Sequence, residues 1–249
     1  MSKKIVIVGG SSGLGRRLAE LYAAEGCNVG VIARRENLLT SLQKEFPDKI
    51  IIKQADIADE TIDRSLLEII NELNGVDIII VAASVVNFNT TLLTKPEIET
   101  ISINVEGYTK ILTTAWQYFK EQGHGHIVGI TSIAAARGNK ITPAYHASKS
   151  FQSVYLEGLR VKAKYEKNNI AITELIPGYI NTAMGKGERL FWIAPLEKAA
   201  LQAKKAIEKK KAKAFITKRW WFVYQLQRFL PIFIYDSIVN GSWKLKRKK

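Results

Sequence analysis

A tyrosine and a lysine four residues apart, in Tyr145-His146-Ala147-Ser148-Lys149, are the pair in this chain best suited to proton chemistry. Residues at that spacing share one face of a helix, so phenol and ammonium point the same way. A phenol with an ordinary pKa of about 10 is a poor acid–base catalyst at neutral pH. A fixed cation beside it favours the phenolate and draws that pKa towards the working range. The same spacing also describes a solvated pair on an outer helix face, so the upstream sequence must decide.

Upstream, the apolar run Ile5–Val8 ends in Gly9-Gly10-Ser11-Ser12-Gly13-Leu14-Gly15, where a helical pattern begins. Glycines 9, 13 and 15 let backbone and helix start approach a pyrophosphate closely. The amides of the turn, those of Ser11, Ser12 and Leu14 among them, then oppose its charge together with the helix dipole. The spacing is G-x-x-x-G-x-G rather than G-x-G-x-x-G, but the first strand–helix junction is the usual dinucleotide position.

The second strand ends at Ala33-Arg34-Arg35, with no acid before Glu36. A site for NAD usually has an acid there to hold the adenosine ribose. A guanidinium suits a 2′-phosphate instead, so the cofactor expected is NADP(H). Arg34 is the main contact in this reading and Arg35 or Ser11 a helper; the alternative is two solvated arginines. Asp56, followed by Ile57 after the third strand, either meets the adenine edge or caps a helix.

The elements that must position these groups follow from hydrophobic pattern. Short apolar runs at Ile5–Val8, Asn28–Ala33, Ile50–Lys53, Asp77–Ala82, His126–Thr131, Ile170–Ile176 and Ala214–Thr217 read as buried strands. Helical patterns fall between them, at about 13–26, 36–45, 60–74, 97–121, 143–167 and 195–210. Strands that are apolar throughout and alternate with helices indicate a parallel sheet covered on both faces. The expected fold class is α/β: one doubly wound, seven-stranded Rossmann-like domain over residues 1–217, followed by an aromatic and basic extension over 218–249.

Composition agrees with a globular body and a charged appendage. Of 249 residues, 47% are hydrophobic, and the net charge is +14. Residues 1–197 hold 22 Lys and Arg against 21 Asp and Glu, whereas 198–249 hold 15 against 2. The basic character thus belongs to the C-terminal fifth, which argues against a nucleic-acid-binding fold. Cys27, the lone cysteine, fits a reducing compartment, and three histidines without thiolates offer no metal set. Met1-Ser2-Lys3-Lys4 runs straight into the first strand, and no stretch reaches the roughly 20 apolar residues of a membrane span. The expected location is cytoplasmic.

Taken in order, the glycine turn, Asp56, Asn104, Ser132, Tyr145 with Lys149, and Pro177-Gly178-Tyr179-Ile180-Asn181-Thr182 resemble the short-chain dehydrogenase/reductase family over roughly residues 4–217. The resemblance implies hydride transfer between nicotinamide C4 and a carbonyl or alcohol carbon. It makes Asn104, Ser132, Tyr145 and Lys149 the catalytic set. Tyr145 would exchange the proton, Ser132 would hold the carbonyl oxygen, and Lys149 would hold the nicotinamide ribose and lower the Tyr145 pKa. Asn104 would position a water linking Lys149 to solvent. Pro177 and Gly178 would turn the chain past the nicotinamide, with Ile180 and Thr182 at its carboxamide. Two departures stand out. Val81-Ala82-Ala83-Ser84 replaces the family's Asn-Asn-Ala-Gly, and Val8 replaces its Thr before the first glycine. In the strand order 3-2-1-4-5 that the resemblance implies, these two changes lie side by side and could be one apolar replacement.

For the substrate, the family's lid position falls at 183–194, where Met184, Phe191 and Trp192 could line an apolar pocket with Val85 and Ile133, or serve as ordinary core contacts. The expected activity is NADPH-dependent reduction of a hydrophobic ketone or aldehyde, with lipids and steroids among the candidates. The alternatives are NADP-dependent alcohol or hydroxysteroid oxidation, and a non-catalytic NADP(H)-binding regulatory protein. Related proteins build oligomers from the helices near 97–121 and 143–167, so a homo-oligomer is expected. In the extension, Pro231 should break the run into two short helices. Its Trp, Tyr, Lys and Arg suit a membrane surface, or an arm that packs on protein.

Overall fold

The computed structural model describes residues 2–182 and 191–239. Seven strands, β1 (Lys4–Val8), β2 (Asn28–Ala33), β3 (Ile50–Gln54), β4 (Ile78–Val81), β5 (Gly125–Ile130), β6 (Ile170–Pro177) and β7 (Lys213–Ile216), form one parallel sheet in the order β3-β2-β1-β4-β5-β6-β7. Every strand boundary falls within one residue of its expected place, because a strand buried on both faces carries an unbroken apolar run. Alternation then divides each strand between two cores. Val6 and Val8 face helices α3 (Ile62–Glu72), α5 (Tyr108–Gln122) and α6 (Pro143–Tyr165). Ile5 and Ile7 face α1 (Gly13–Ala24), α2 (Glu36–Glu45) and α7 (Leu196–Glu208). Each buried Val, Leu or Ile contributes about 1.5–3 kcal/mol, and truncating one, as in Ile7→Ala, would cost about 2–5 kcal/mol.

The single helix expected over 97–121 is divided. Helix α4 (Thr94–Ile101) passes through a π-helical segment, Ser102–Gly107, before α5 begins. The wider turn swings the Asn104 side chain inward, where it is fully buried. Gly107 closes the segment against the Ile57 carbonyl, an approach that leaves no room for a Cβ.

Pro231 separates α8 (Trp220–Phe229) from α9 (Ile232–Val239), as the sequence indicates. Helix α8 packs inward: Trp220 and Tyr224 are buried with Ile133 and Ile176 in a third apolar cluster. The N-terminal part of the extension therefore shares the core of the main body.

Candidate active site

The exits of β1, β4, β5 and β6 lie at the carboxyl edge of the sheet, where ligands of open α/β sheets bind. At the β1 exit Gly9 has φ 90°, and a Cβ there would strike the Ala83 backbone. A Cβ on Gly15 would lie 2.5 Å from the Gly9 carbonyl oxygen, so the first turn of α1 can close on the loop only with glycine. The tight turn and helix start form a cradle that fits a pyrophosphate. Leu14 is buried beneath it, and Thr182, from the β6 exit, lies alongside Gly13.

The two arginines part company. Arg35 Nη2 donates to Ser11 Oγ at 3.0 Å and to Ser12 Oγ at 2.6 Å, which sets its guanidinium over the glycine turn. Arg34 is largely exposed and pairs with Asp56 at 3.2 Å. Asp56 also accepts from the Ala58 amide at 3.0 Å and so closes a turn; it does not cap a helix, since α3 begins only at Ile62. Ile57 is buried, its carbonyl against Gly107.

At the β4 exit the family's polar pair is replaced by core. Val8 and Val81 are register partners on β1 and β4, and both are buried. The amides of Ala82 and Ala83 both donate to the Val8 carbonyl, at 2.8 and 2.9 Å, so backbone alone fixes this exit.

Asn104 ties that loop to α6. Its Oδ1 accepts from Ser84 Oγ at 3.0 Å and from the Val85 amide at 2.9 Å, while Nδ2 donates to the Val85 carbonyl at 2.9 Å and Ser148 Oγ at 3.0 Å. All four hydrogen-bonding positions of the carboxamide are used. Helix α6 starts with Pro143 in its first turn, and the Glu97 carboxylate accepts from the Ala144 amide at 2.9 Å. That first turn carries Tyr145.

Ser132 stands at the β5 exit, its Oγ accepting from the Ala134 amide at 3.1 Å. Its hydroxyl lies close enough to the Tyr145 phenol to influence its ionisation. Burial holds the phenol above its ordinary range, the Ser132 contact pulls it back, and Tyr179 nearby pushes it further up. The sequence argument expects Lys149 to lower this pKa. Instead its Nζ, 5.7 Å from the centre of the Tyr145 ring, is bound elsewhere. It donates to the Ile130 carbonyl at 3.2 Å and to Gln152 Oε1 at 2.9 Å. Lys149 is 2% exposed, and burial draws its pKa down to about 7. Gln152, itself fully buried, donates through Nε2 to the Asn104 carbonyl at 2.8 Å. The Gln152 side chain thus bridges Lys149 and the Asn104 backbone.

On the nicotinamide side, Gly178 donates to the Ile216 carbonyl at 2.7 Å and packs so closely on the Trp220 indole that a Cβ would clash. Pro177 ends β6, Ile180 is buried and bridges Ala194, and Thr182 Oγ1 lies 3.5 Å from the Ile180 carbonyl. Of the proposed substrate residues, Phe191 and Trp192 gather around Trp220, with ring centres 5.2 and 5.8 Å away, and Tyr179 joins at 5.3 Å. Ile133 is buried against the same indole cluster, whereas Val85 packs on a separate cluster, the core beneath α3, α5 and α6. Met184 lies outside the described residues. Trp220, Tyr179 and Gln152 were not singled out from sequence. Gln152 is three residues beyond Lys149 on the same helix face, a spacing that could have revealed it.

A family model described as short chain dehydrogenase matches residues 3–191. An uncharacterized oxidoreductase of Mycobacterium tuberculosis is 34% identical over 194 residues, covering 73% of this chain and 75% of the relative. Among solved structures, a short-chain dehydrogenase from Streptomyces avermitilis superposes with a TM-score of 0.80 at 21% identity, over 97% of this chain and 99% of that one. An NADPH-dependent 3-quinuclidinone reductase from Rhodotorula rubra superposes with a TM-score of 0.74 at 21% identity, over 86% and 89%. The fold, the ordered motifs and these matches lead to one conclusion: the chain belongs to the short-chain dehydrogenase/reductase family of NAD(P)-dependent oxidoreductases.

Proposed function

We propose that this protein reduces an apolar ketone or aldehyde with NADPH, Tyr145 delivering the proton to the carbonyl oxygen. The observation that carries the reading is the convergence of Ser132, Tyr145 and the buried Lys149 at one strand exit, with the lysine one turn of α6 beyond the phenol and its Nζ 5.7 Å from the ring centre. Ser132 would share the carbonyl oxygen with Tyr145 and stabilise the charge that develops on it. A bound NADPH supplies the hydride. The glycine cradle would hold its pyrophosphate, Arg35 and Arg34 its 2′-phosphate, and Lys149 its nicotinamide ribose. The similar Rhodotorula reductase is named as NADPH-dependent, which agrees with two arginines at the β2 exit. The aromatic group of Tyr179, Phe191, Trp192 and Trp220 favours an apolar substrate. The test is a panel of apolar carbonyl compounds scored by loss of NADPH absorbance; no turnover of any member would count against the reading.

Two surfaces extend it. On α6, Phe151, Val154 and Val161 are exposed, and this face, with α5, would form a homo-oligomer. On α8 and α9, Phe222, Leu226, Phe229, Ile232 and Phe233 are 61–80% exposed, and Asp236 is the only acid after Glu208. Rings and cations in that arrangement suit the headgroup region of an anionic membrane. No described helix is long and apolar enough to cross one. Contact there would be peripheral, on the same extension that places Trp220 among the aromatic group.

A further inference from the structure

We infer that Gln152 is a positioning residue that holds the Lys149 ammonium from behind and fixes it to the π-helical segment. The inference rests on the proposed reaction for its purpose and on geometry for its substance. A carboxamide is acceptor at one end and donor at the other. Here the acceptor meets Lys149 Nζ at 2.9 Å and the donor meets the Asn104 carbonyl at 2.8 Å. That carbonyl belongs to Ser102–Gly107, where π-helical hydrogen bonding departs from the regular α pattern. Asn104 thus works in two directions: its side chain holds the Ser84–Val85 loop and its backbone anchors Gln152. Gln152 and Lys149 sit one helical turn apart with almost no solvent contact, so each limits the other's rotamers.

The contact matters because little else compensates the buried charge. On its own helix Lys149 faces the Tyr145 ring, from β5 the Ile130 carbonyl, and from the β6 exit Tyr179 stands beyond Tyr145. Among the described residues no carboxylate reaches ion-pair distance of Lys149. A neutral amide oxygen and one backbone carbonyl are its acceptors. Burial already favours the uncharged amine, so losing the Gln152 oxygen should extend that shift. The chain Lys149–Gln152–Asn104 also ends at a backbone carbonyl, which passes on no proton.

The test reads the lysine directly. The side-chain carbon and nitrogen shifts of Lys149 are followed by NMR against pH in wild type and in the near-isosteric Gln152→Met. The midpoint should fall in the variant by about one pH unit, the order expected when a hydrogen bond to a charged group is lost. In the wild type, the Gln152 amide protons should titrate with the Lys149 midpoint, which needs no variant to fold. An unchanged midpoint in a folded Gln152→Met protein, or Gln152 amide shifts that ignore pH across the Lys149 transition, would overturn the inference. NADPH binding, measured separately by its fluorescence, distinguishes the two claims. A wild type that binds none would remove the proposed reaction, while the titrations still decide the role of Gln152.

Discussion

Val8 and Val81 face each other across the β1–β4 ladder, both fully within the core, at positions where the family resemblance implies Thr and Asn. Removing both members of a buried polar pair can be nearly neutral, whereas restoring one strands it without a partner. Val8→Thr should therefore lower stability by about 1–3 kcal/mol in urea unfolding. Adding Val81→Asn should recover part of that loss. Strictly additive losses in the double variant would show that the two positions are not a coupled replacement.

Cofactor choice should depend on both arginines, with Arg35 the more sensitive. Its guanidinium already rests on Ser11 and Ser12 above the glycine turn, while Arg34 is engaged by Asp56. Arg35→Ala should cut the NADPH-to-NADH ratio of kcat/KM by roughly tenfold or more, in line with a charged hydrogen bond. Arg34→Asp should erode the same ratio. A ratio unmoved by both substitutions would place the 2′-phosphate elsewhere.

Acid sensitivity should trace in part to His126. The imidazole is 3% exposed, bonded to Thr173 Oγ1 at 2.8 Å, and burial draws its pKa down to about 4 from an ordinary 6.5. The folded state keeps it neutral and the unfolded state does not. Its contribution is thus complete above pH 6.5 and is lost as pH falls towards 4. The full loss would be about 3 kcal/mol. Urea unfolding across that interval should give a flatter pH slope for His126→Leu than for wild type; equal slopes would assign the acid transition to other groups.

Membrane contact should reside on the outer face of α8 and not on the whole extension. Deleting 218–249 would also remove Trp220 and Tyr224 from the core, so loss of lipid binding would not isolate the surface. Phe222→Ser with Phe229→Ser changes exposed rings only. The pair should reduce co-sedimentation with anionic vesicles at least tenfold, given about 1.5–3 kcal/mol for each large apolar side chain withdrawn from water. Its thermal midpoint should stay that of the wild type. Undiminished binding would reassign the face to protein contact.

Much of this molecule was legible in its residues. Uninterrupted apolar runs placed all seven strands, because a parallel sheet covered on both sides asks nothing else of them. The glycine turn and the order of Ser132, Tyr145 and Lys149 gave the family. What escaped depends on contacts between distant segments. The π turn at Asn104 leaves no mark on periodicity, since tertiary bonds to Ser84, Val85 and Ser148 hold it. Trp220 looked like part of an outlying aromatic run, and its burial follows from the missing side chain of Gly178. Which arginine lies over the turn was likewise a matter of packing. The lysine's partner escaped because a glutamine three residues on reads as an ordinary helix residue until burial turns it towards Lys149.

The central claim is that the Tyr145 hydroxyl moves the proton, and Tyr145→Phe tests it most directly. With a carbonyl compound that the wild type turns over, the variant should bind NADPH within a few-fold of wild type by fluorescence. Its kcat should fall roughly a hundredfold or more, the usual scale for losing a general acid. Full turnover by the phenylalanine variant on the same compound would contradict the account.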